Sequence, residues 1–312
     1  MGGRSLAAGT VVAGRFRCTA WLGTGGVADV FEAVDLRGGA TVAVKCMRSR
    51  LRGDARVDAH YQVEAGALRR LAAAPVAHLV DEGVGRDGLR YLVLERLWGP
   101  SFDACVAAAC PTACGLATFA QLLDVVERIH GLGVVHGDLK PGNAILVGGD
   151  AVALIDFGLA VVDDDAAAGA RPHVFGTPEY MAPELIDGAS RSVASDVYAL
   201  GAMLYELLTG APPFGGRDAR EIARRVLDDD VVPVSRRVLT PIAPALDALV
   251  LKALARRPED RFASVAALRD ALRAAPVSGA ATAPRLRAGW DDVPTQPSPP
   301  WRRRAGRAAL AH

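Results

Sequence analysis

The chain has 312 residues, of which 51% are hydrophobic and 23% charged, and 36 Lys and Arg against 35 Asp and Glu give a formal charge of +1. This composition excludes wholesale disorder, and the balanced charge provides no basic field to attract nucleic acid, so no nucleic-acid partner is expected. Five cysteines, an odd number in a chain of this length, favour a reduced, cytoplasmic setting. No signal peptide is expected, because the first fifteen residues lack its apolar stretch.

In chain order, the N-terminal part is rich in predicted strands, with a glycine turn at 23–26 and a helix at 54–71. The strands are expected at residues 11–12, 16–22, 27–34, 41–47 and 89–94. The later part has helical periodicity at residues 118–133, 196–208, 219–227, 244–255 and 264–274. The pattern therefore predicts a strand-rich lobe of roughly 95 residues followed by a helix-rich lobe of roughly 180.

The longest uncharged run, residues 104–123, approaches the length of a membrane span. Pro111 interrupts it, and Ala, Cys, Thr and Gln dominate, so we expect two soluble helices joined by a turn at 111–115, with no membrane span. Its three thiols, Cys105, Cys110 and Cys114, match no paired zinc spacing and lack a fourth ligand, which favours buried apolar cysteines over a metal site.

Residues 276–312 differ in composition from the rest, being rich in Pro, Ala and Arg without apolar periodicity. They are predicted to form a flexible tail. Thr295, in the stretch DDVPTQPSP, is a candidate phosphoacceptor that would dock a phosphothreonine-reading partner. The alternative is an inert linker.

Two features of the N-terminal part suit a phosphate ligand. Glycines at 23, 25 and 26 lie between two predicted strands, where backbone N–H groups can approach phosphate oxygens. A hairpin turn without a ligand is the alternative. Lys45 ends the apolar strand TVAVK and would supply a cation, with Glu64 on the next helix as its partner. An exposed strand end is the alternative there.

Further polar residues follow apolar stretches in the C-terminal part. Asp138, Lys140 and Asn143 lie in one short loop, and Asp156 follows the apolar strand AVALI. Two carboxylates and an amide on neighbouring loops suit Mg²⁺, which prefers oxygen ligands and accompanies phosphates. A solvated acidic loop would explain the composition but not the order of these residues.

The ordered set resembles the eukaryotic-type (Hanks-type) protein kinase family, and its bacterial Ser/Thr members in particular. The matching motifs are the glycine-rich loop, VAVK, a helical Glu, H-x-D-x-K-x-x-N, DFG and GTPEYMAPE at 176–184. The resemblance covers about residues 10–275. It implies an α+β, bilobal protein-kinase fold in a domain of residues 1–275, with a small β-rich lobe at about 10–97 and a larger helical lobe at about 98–275.

The resemblance also implies roles for individual residues. Asp138 would accept the proton of the substrate hydroxyl, Lys140 would steady the γ-phosphate, and Lys45 would hold the α- and β-phosphates while paired with Glu64. Asn143 and Asp156 would hold Mg²⁺. The ATP-binding set would be Leu22, Gly23, Thr24, Gly25, Gly26, Val30, Ala43, Lys45, Glu95, Leu97 and Ile145. Ala28 replaces the usual third glycine of the loop.

The activity implied is transfer of the ATP γ-phosphate to Ser or Thr hydroxyls of protein substrates, in bacterial signalling. One alternative is a nucleotide-binding pseudokinase scaffold. Such proteins usually lack one of the residues that correspond to Lys45, Asp138 and Asp156, whereas all three are present here. Another is the cytosolic part of a truncated membrane sensor kinase. His136 and Phe157 resemble packing residues of the family, and Glu184 and Arg261 resemble a structural ion pair.

Regulation by activation-loop phosphorylation is not expected. Many family members have an arginine immediately before the catalytic Asp that clasps a loop phosphate, and here that residue is Gly137. Residues 159–176 contain no Ser, Thr or Tyr, and Thr177 resembles a threonine that contacts the catalytic loop. The loop would be ordered instead by packing, or by the acidic residues 163–165 meeting a basic group such as Arg171. The alternative to this prediction is that Thr177 is itself modified and inhibits the enzyme.

Overall fold

The structure is a computed structural model that describes residues 6–107, 112–149, 151–162, 177–238 and 241–275. The chain divides into two compact units, with the boundary between Leu97 and Trp98. The predicted tail, Thr295, Cys110, residues 163–165 and Arg171 lie outside the described residues.

The N-terminal unit is built on an antiparallel sheet of order β1-β2-β3-β4-β6-β5. Its strands are β1 Val11–Val12, β2 Phe16–Thr24, β3 Ala28–Asp35, β4 Thr41–Met47, β5 Leu79–Val84 and β6 Arg90–Glu95. The alternation of side chains gives this sheet two different faces. On one face Phe31, Val44 and Val93 belong to an apolar cluster. On the other face Val30, Ala43 and Lys45 lie together, since Val30 pairs with Lys45 across the strands.

Helix α1, Ala55–Arg70, begins after Asp54, whose carboxylate accepts from Arg56 N–H as an N-cap. It buries Tyr61, Glu64 and Leu68 along one side and contacts β5 and β6. The predicted helix at 54–71 is confirmed. Strand β5 was not predicted, because its sequence LVDEGV does not alternate apolar and polar residues. It lies at the edge of the sheet.

The C-terminal unit consists mainly of helices. They are α2 Asp103–Ala107, α3 Thr112–Gly131, α4 Pro183–Ile186, α5 Val193–Thr209, α6 Ala219–Asp228, α7 Pro244–Ala253 and α8 Val265–Ala274. Two short antiparallel pairs of strands accompany them. β8 Ala144–Val147 pairs with β9 Ala151–Leu154, and β7 Val134–Val135 pairs with β10 Val161–Val162.

Helix α5 forms the core of this unit, with an unbroken buried segment from Ser195 to Tyr205. It starts in a capping box between Ser192 and Ser195 and ends at Gly210, whose φ of 78° is the left-handed conformation typical of a helix C-terminus. Helices α3, α7 and α8 pack around it. Because α5 is buried on nearly every side, its position is fixed, and it can support the loops that contact its N-terminus.

The predicted turn at 111–115 is wrong in its position, because α3 already begins at Thr112 and runs through Gly115. A Cβ at Gly115 would lie only 2.9 Å from Cδ1 of Leu207, so glycine permits the close packing of α3 on α5. Cys105 and Cys114 are free thiols, and burial raises the pKa of the Cys105 thiol to about 11. Within the residues that the structure describes, no helix is long and apolar enough to span a membrane.

Candidate active site

The glycine-rich segment connects β2 and β3. Its turn is closed by Gly25 N–H, which donates to Ala28 O at 2.7 Å. Gly23 is still part of β2, where it pairs with Val30, so the turn is shorter than the predicted 23–26. Among the described atoms, none lies within 4 Å of a Cβ built at Gly23 or Gly26. Crowding by the chain's own described atoms therefore does not explain these glycines, and Leu22 and Thr24 beside them are exposed.

Lys45 forms a symmetric ion pair with Glu64. Its Nζ donates to both carboxylate oxygens, each at 2.8 Å, and the Glu64 side chain is fully buried. The alternative of an exposed strand end is wrong, because Lys45 is buried and lies in β4 between β3 and β6. The predicted pairing of Lys45 with Glu64 is confirmed.

The other N-terminal candidates lie on the same face of the sheet or at the end of β6. Ala43 pairs with Leu94 in the neighbouring strand, and Leu97 follows the strand as a buried residue. The Glu95 carboxylate is 2.9 Å from Nδ1 of His78, and its backbone N–H donates to His78 O at 2.8 Å. These contacts fix the end of β6.

Lys140 and Asn143 both donate to the same carboxylate oxygen of Asp138. Lys140 Nζ donates to Asp138 Oδ2 at 2.7 Å, and Asn143 Nδ2 reaches the same oxygen at 3.3 Å. Lys140 also donates to Thr177 Oγ1 at 3.0 Å, which links the loop to the segment that precedes α4. The contact of Thr177 with this loop, which the resemblance implies, is confirmed.

The backbone of this loop is anchored to the first turn of α5. The Asp196 carboxylate accepts from the N–H groups of His136 and Gly137, both at 2.9 Å, and from His130 Nε2 at 2.8 Å. The buried His136 ring packs 4.7 Å from the Phe157 ring, and its Nδ1 accepts from Asp138 N–H at 3.3 Å. His136 is therefore a packed, hydrogen-bonded residue, as predicted.

The pairing of β8 with β9 places Asn143 beside Ile155, the residue that precedes Asp156. Asn143 O accepts from Ile155 N–H at 3.0 Å, and Ile145 pairs with Ala153 in the same ladder. Asp156 adopts a φ of 65°, a conformation that is uncommon outside glycine and that turns the chain immediately after β9. The amide oxygen of Asn143 and the Asp156 carboxylate fit a hard divalent cation, which prefers oxygen ligands and is often completed by substrate phosphates.

Arg261 and Glu184 form the second predicted ion pair, at 2.7 and 2.6 Å. The Arg261 side chain is fully buried, and its remaining donors bind the carbonyl oxygens of Ala194, Ala255 and Arg256. This pair ties the segment before α5 to the residues before α8 and is structural.

Arg191 was missed by the sequence analysis. It precedes the N-cap of α5, and its Nε donates to Gly137 O at 3.1 Å, next to Asp138. The available signal was the glycine at 137, where many members of the resembled family have an arginine.

Comparison with known proteins identifies relatives over most of this chain. The family described as "Protein kinase domain" matches residues 16–272. Serine/threonine-protein kinase pkn3 of Myxococcus xanthus is 35% identical over 85% of this chain and 51% of its own length. Serine/threonine-protein kinase PknB of Mycolicibacterium smegmatis is 34% identical over 80% of this chain and 41% of its own length.

The chain thus spans about half the length of these curated relatives or less. The match with the family covers both units, including the glycine-rich segment, the Lys45–Glu64 pair and the Asp138 loop. The predicted α+β kinase fold and the predicted resemblance are confirmed, and the chain belongs to the protein kinase family.

Proposed function

We propose that the chain transfers the γ-phosphate of ATP to Ser or Thr hydroxyls of protein substrates. The observation that carries this proposal is the cluster in which Lys140 bridges Asp138 and Thr177. In the described structure, Asp138 Oδ2 is the oxygen that accepts from Lys140 and Asn143. Its Oδ1 is then the oxygen suited to receive the proton of a substrate hydroxyl.

In the proposed reaction, the substrate oxygen forms a bond to the γ-phosphorus as the bond from that phosphorus to the ADP oxygen breaks. The hydroxyl proton passes to Asp138, and the ammonium of Lys140 neutralises charge on the transferred group. The bridge to Thr177 holds the Lys140 ammonium beside Asp138. Most of the acceleration then comes from positioning and electrostatics, since phosphoryl transfer needs little covalent chemistry from the protein.

Residues of the N-terminal unit would hold the nucleotide. Lys45, oriented by Glu64, would bind the α- and β-phosphates, and the glycines at 23, 25 and 26 would cover them with backbone N–H groups. Val30 and Ala43 would contact adenine, and the backbone of Glu95 and Leu97 would bind its edge. These roles are carried over from the family to the matching positions.

Protein kinases use ATP with a divalent cation, and we infer that the cation here is Mg²⁺. Asn143 and Asp156 would hold it. When bound, the cation would neutralise charge on the phosphate groups. Asn143 has a second role in the chain itself, because its Nδ2 also donates to Asp138 O at 2.8 Å and so braces the Asp138 loop.

Two features favour Ser/Thr over Tyr as the acceptor. Lys140, two residues after Asp138, resembles the Ser/Thr branch of the family, and Thr177 contacts it directly. The curated relatives are also named serine/threonine kinases. A cytoplasmic setting is proposed because the reaction consumes ATP and because the cysteines of the described residues are free thiols.

The proposal is tested by incubating the purified chain with Mg²⁺, γ-labelled ATP and a generic protein substrate, followed by phosphoamino-acid analysis. Label on Ser or Thr in the wild type and its loss in Asp138→Asn are expected. ATP binding without transfer would instead support the pseudokinase alternative. Peptide mass spectrometry of the same reaction tests Thr295, and an unmodified 276–312 segment would reject it as an acceptor.

A further inference from the structure

Gly137, between His136 and Asp138, has no room for a side chain. Its φ is 75°, in the left-handed region. A Cβ there would lie 2.3 Å from Cδ of Arg191 and 2.5 Å from the carbonyl oxygen of Leu159. The Arg191 side chain therefore occupies the space beside residue 137, and glycine is required both by this contact and by the backbone conformation.

The N-terminus of α5 holds Gly137 at both of its backbone polar groups. Gly137 N–H donates to Asp196 Oδ1 at 2.9 Å, and Gly137 O accepts from Arg191 Nε at 3.1 Å. Asp196 lies in the first turn of α5, and Arg191 immediately precedes the N-cap Ser192. Because the capping box fixes the backbone between them, one helix end presents both an acceptor and a donor in a set geometry.

The Arg191 guanidinium lies within the electrostatic influence of two carboxylates. Burial lowers the pKa of Arg191, whereas the Asp138 and Asp196 carboxylates act to raise it. A guanidinium stays protonated in proteins. Arg191 therefore brings a permanent positive charge and a hydrogen-bond donor to the peptide group that immediately precedes Asp138.

We propose that Arg191 is a positioning residue for Asp138. It fixes the Gly137–Asp138 peptide through its Nε hydrogen bond and places a positive charge near the Asp138 carboxylate. This chain has Gly137 where many family members have an arginine, and the Arg191 side chain lies in the space beside it. The inference rests on the proposed phosphotransferase function and extends it to a residue outside the motifs that match the family.

The test compares Arg191→Gln and Arg191→Lys with wild type. Arg220→Gln is the matched control, because Arg220 is an exposed arginine on α6, away from this loop. We expect Arg191→Gln to lower kcat by about 10- to 100-fold, as misplacement of a catalytic group does. KM for ATP should stay within about twofold, since Arg191 acts on the Asp138 loop rather than on nucleotide binding. Arg191→Lys, which retains the charge, should lie between Arg191→Gln and wild type.

A kcat of Arg191→Gln within about twofold of wild type overturns the proposal. So does a loss of kcat that Arg191→Lys does not lessen and that parallels a fall in melting temperature, because that pattern indicates a purely structural role.

Failure of the proposed function has a different signature. In that case the wild-type chain shows no phosphate transfer that depends on Asp138. In that event amide hydrogen exchange decides the inference. Residues 136–138 should exchange faster in Arg191→Gln than in wild type and Arg220→Gln, and equal rates in all three proteins overturn it.

Discussion

Lys45 Nζ is equidistant, at 2.8 Å, from the two carboxylate oxygens of Glu64. The pair joins the middle of β4 to α1, and both residues are buried. Burying two charges is costly even when they are paired, so such a pair is weak evidence for stability by itself. A cation that is already desolvated and oriented is, however, suited to binding phosphate oxygens without further rearrangement.

Lys45→Met should abolish most phosphate transfer and also destabilise the fold. The variant removes the Lys45 ammonium from the buried Glu64 carboxylate, and breaking a buried ion pair typically costs about 3–5 kcal/mol. The double variant Lys45→Met/Glu64→Met should recover stability in urea unfolding but not transfer. Normal transfer by the single variant would show that another cation serves the phosphates.

Arg261→Lys should destabilise the C-terminal unit, although Lys keeps the charge. Arg261 uses its planar fork on Glu184 and binds three carbonyl oxygens as well, which an ammonium with three donors cannot reproduce. A loss of about 2–5 kcal/mol is expected in the free energy of unfolding. The control Arg257→Lys alters an exposed pair with Glu259 and should change stability by less than about 0.5 kcal/mol. Equal effects of the two variants would refute the assignment.

Glu206→Gln should raise the melting temperature at pH 7–8, by an amount that shrinks in acid. Burial raises the pKa of Glu206 above its ordinary 4.5, and Asp103 and Glu179 add to the effect, although the hydrogen bond from Tyr180 opposes it. Because the folded-state pKa is raised, the carboxyl stabilises the fold when protonated, and this contribution is lost as pH rises through the folded-state pKa. Melting curves between pH 4.5 and 8 test this. A gain that is constant with pH, or that grows in acid, would contradict it.

Activation should not depend on phosphorylation of residues 159–176, which contain no hydroxyl side chain. Phosphatase-treated enzyme and enzyme preincubated with ATP should therefore have the same initial rate. A long lag that preincubation abolishes, together with phosphate mapped to 159–177, would refute this prediction.

The parts of the site that follow from local motifs could be predicted from the sequence. Four of the candidates lie in short motifs that end or follow apolar stretches in a set order: Lys45, Asp138, Asn143 and Asp156. Glu64, the partner of Lys45, shares a helical face with buried Leu68. These patterns depend on neighbours along the chain, so the sequence contains them directly.

Features that depend on distant packing could not be predicted. The start of α3 at Thr112 was missed because Gly115 resembles a turn residue until its contact with Leu207 is known. Arg191 lies 54 residues from Gly137, and nothing local to either residue indicates their hydrogen bond. Strand β5 is held by its pairing with β6 rather than by an alternating pattern of its own.

The central claim is tested most directly by the rate of phosphate transfer in Asp138→Asn, measured beside its affinity for ATP. Removing a positioned base typically lowers turnover by about 10²- to 10⁴-fold, and ATP affinity should stay within a few-fold of wild type, because Asp138 is assigned to the substrate hydroxyl. That combination is the result the account predicts. Nearly unchanged turnover in Asp138→Asn would contradict it.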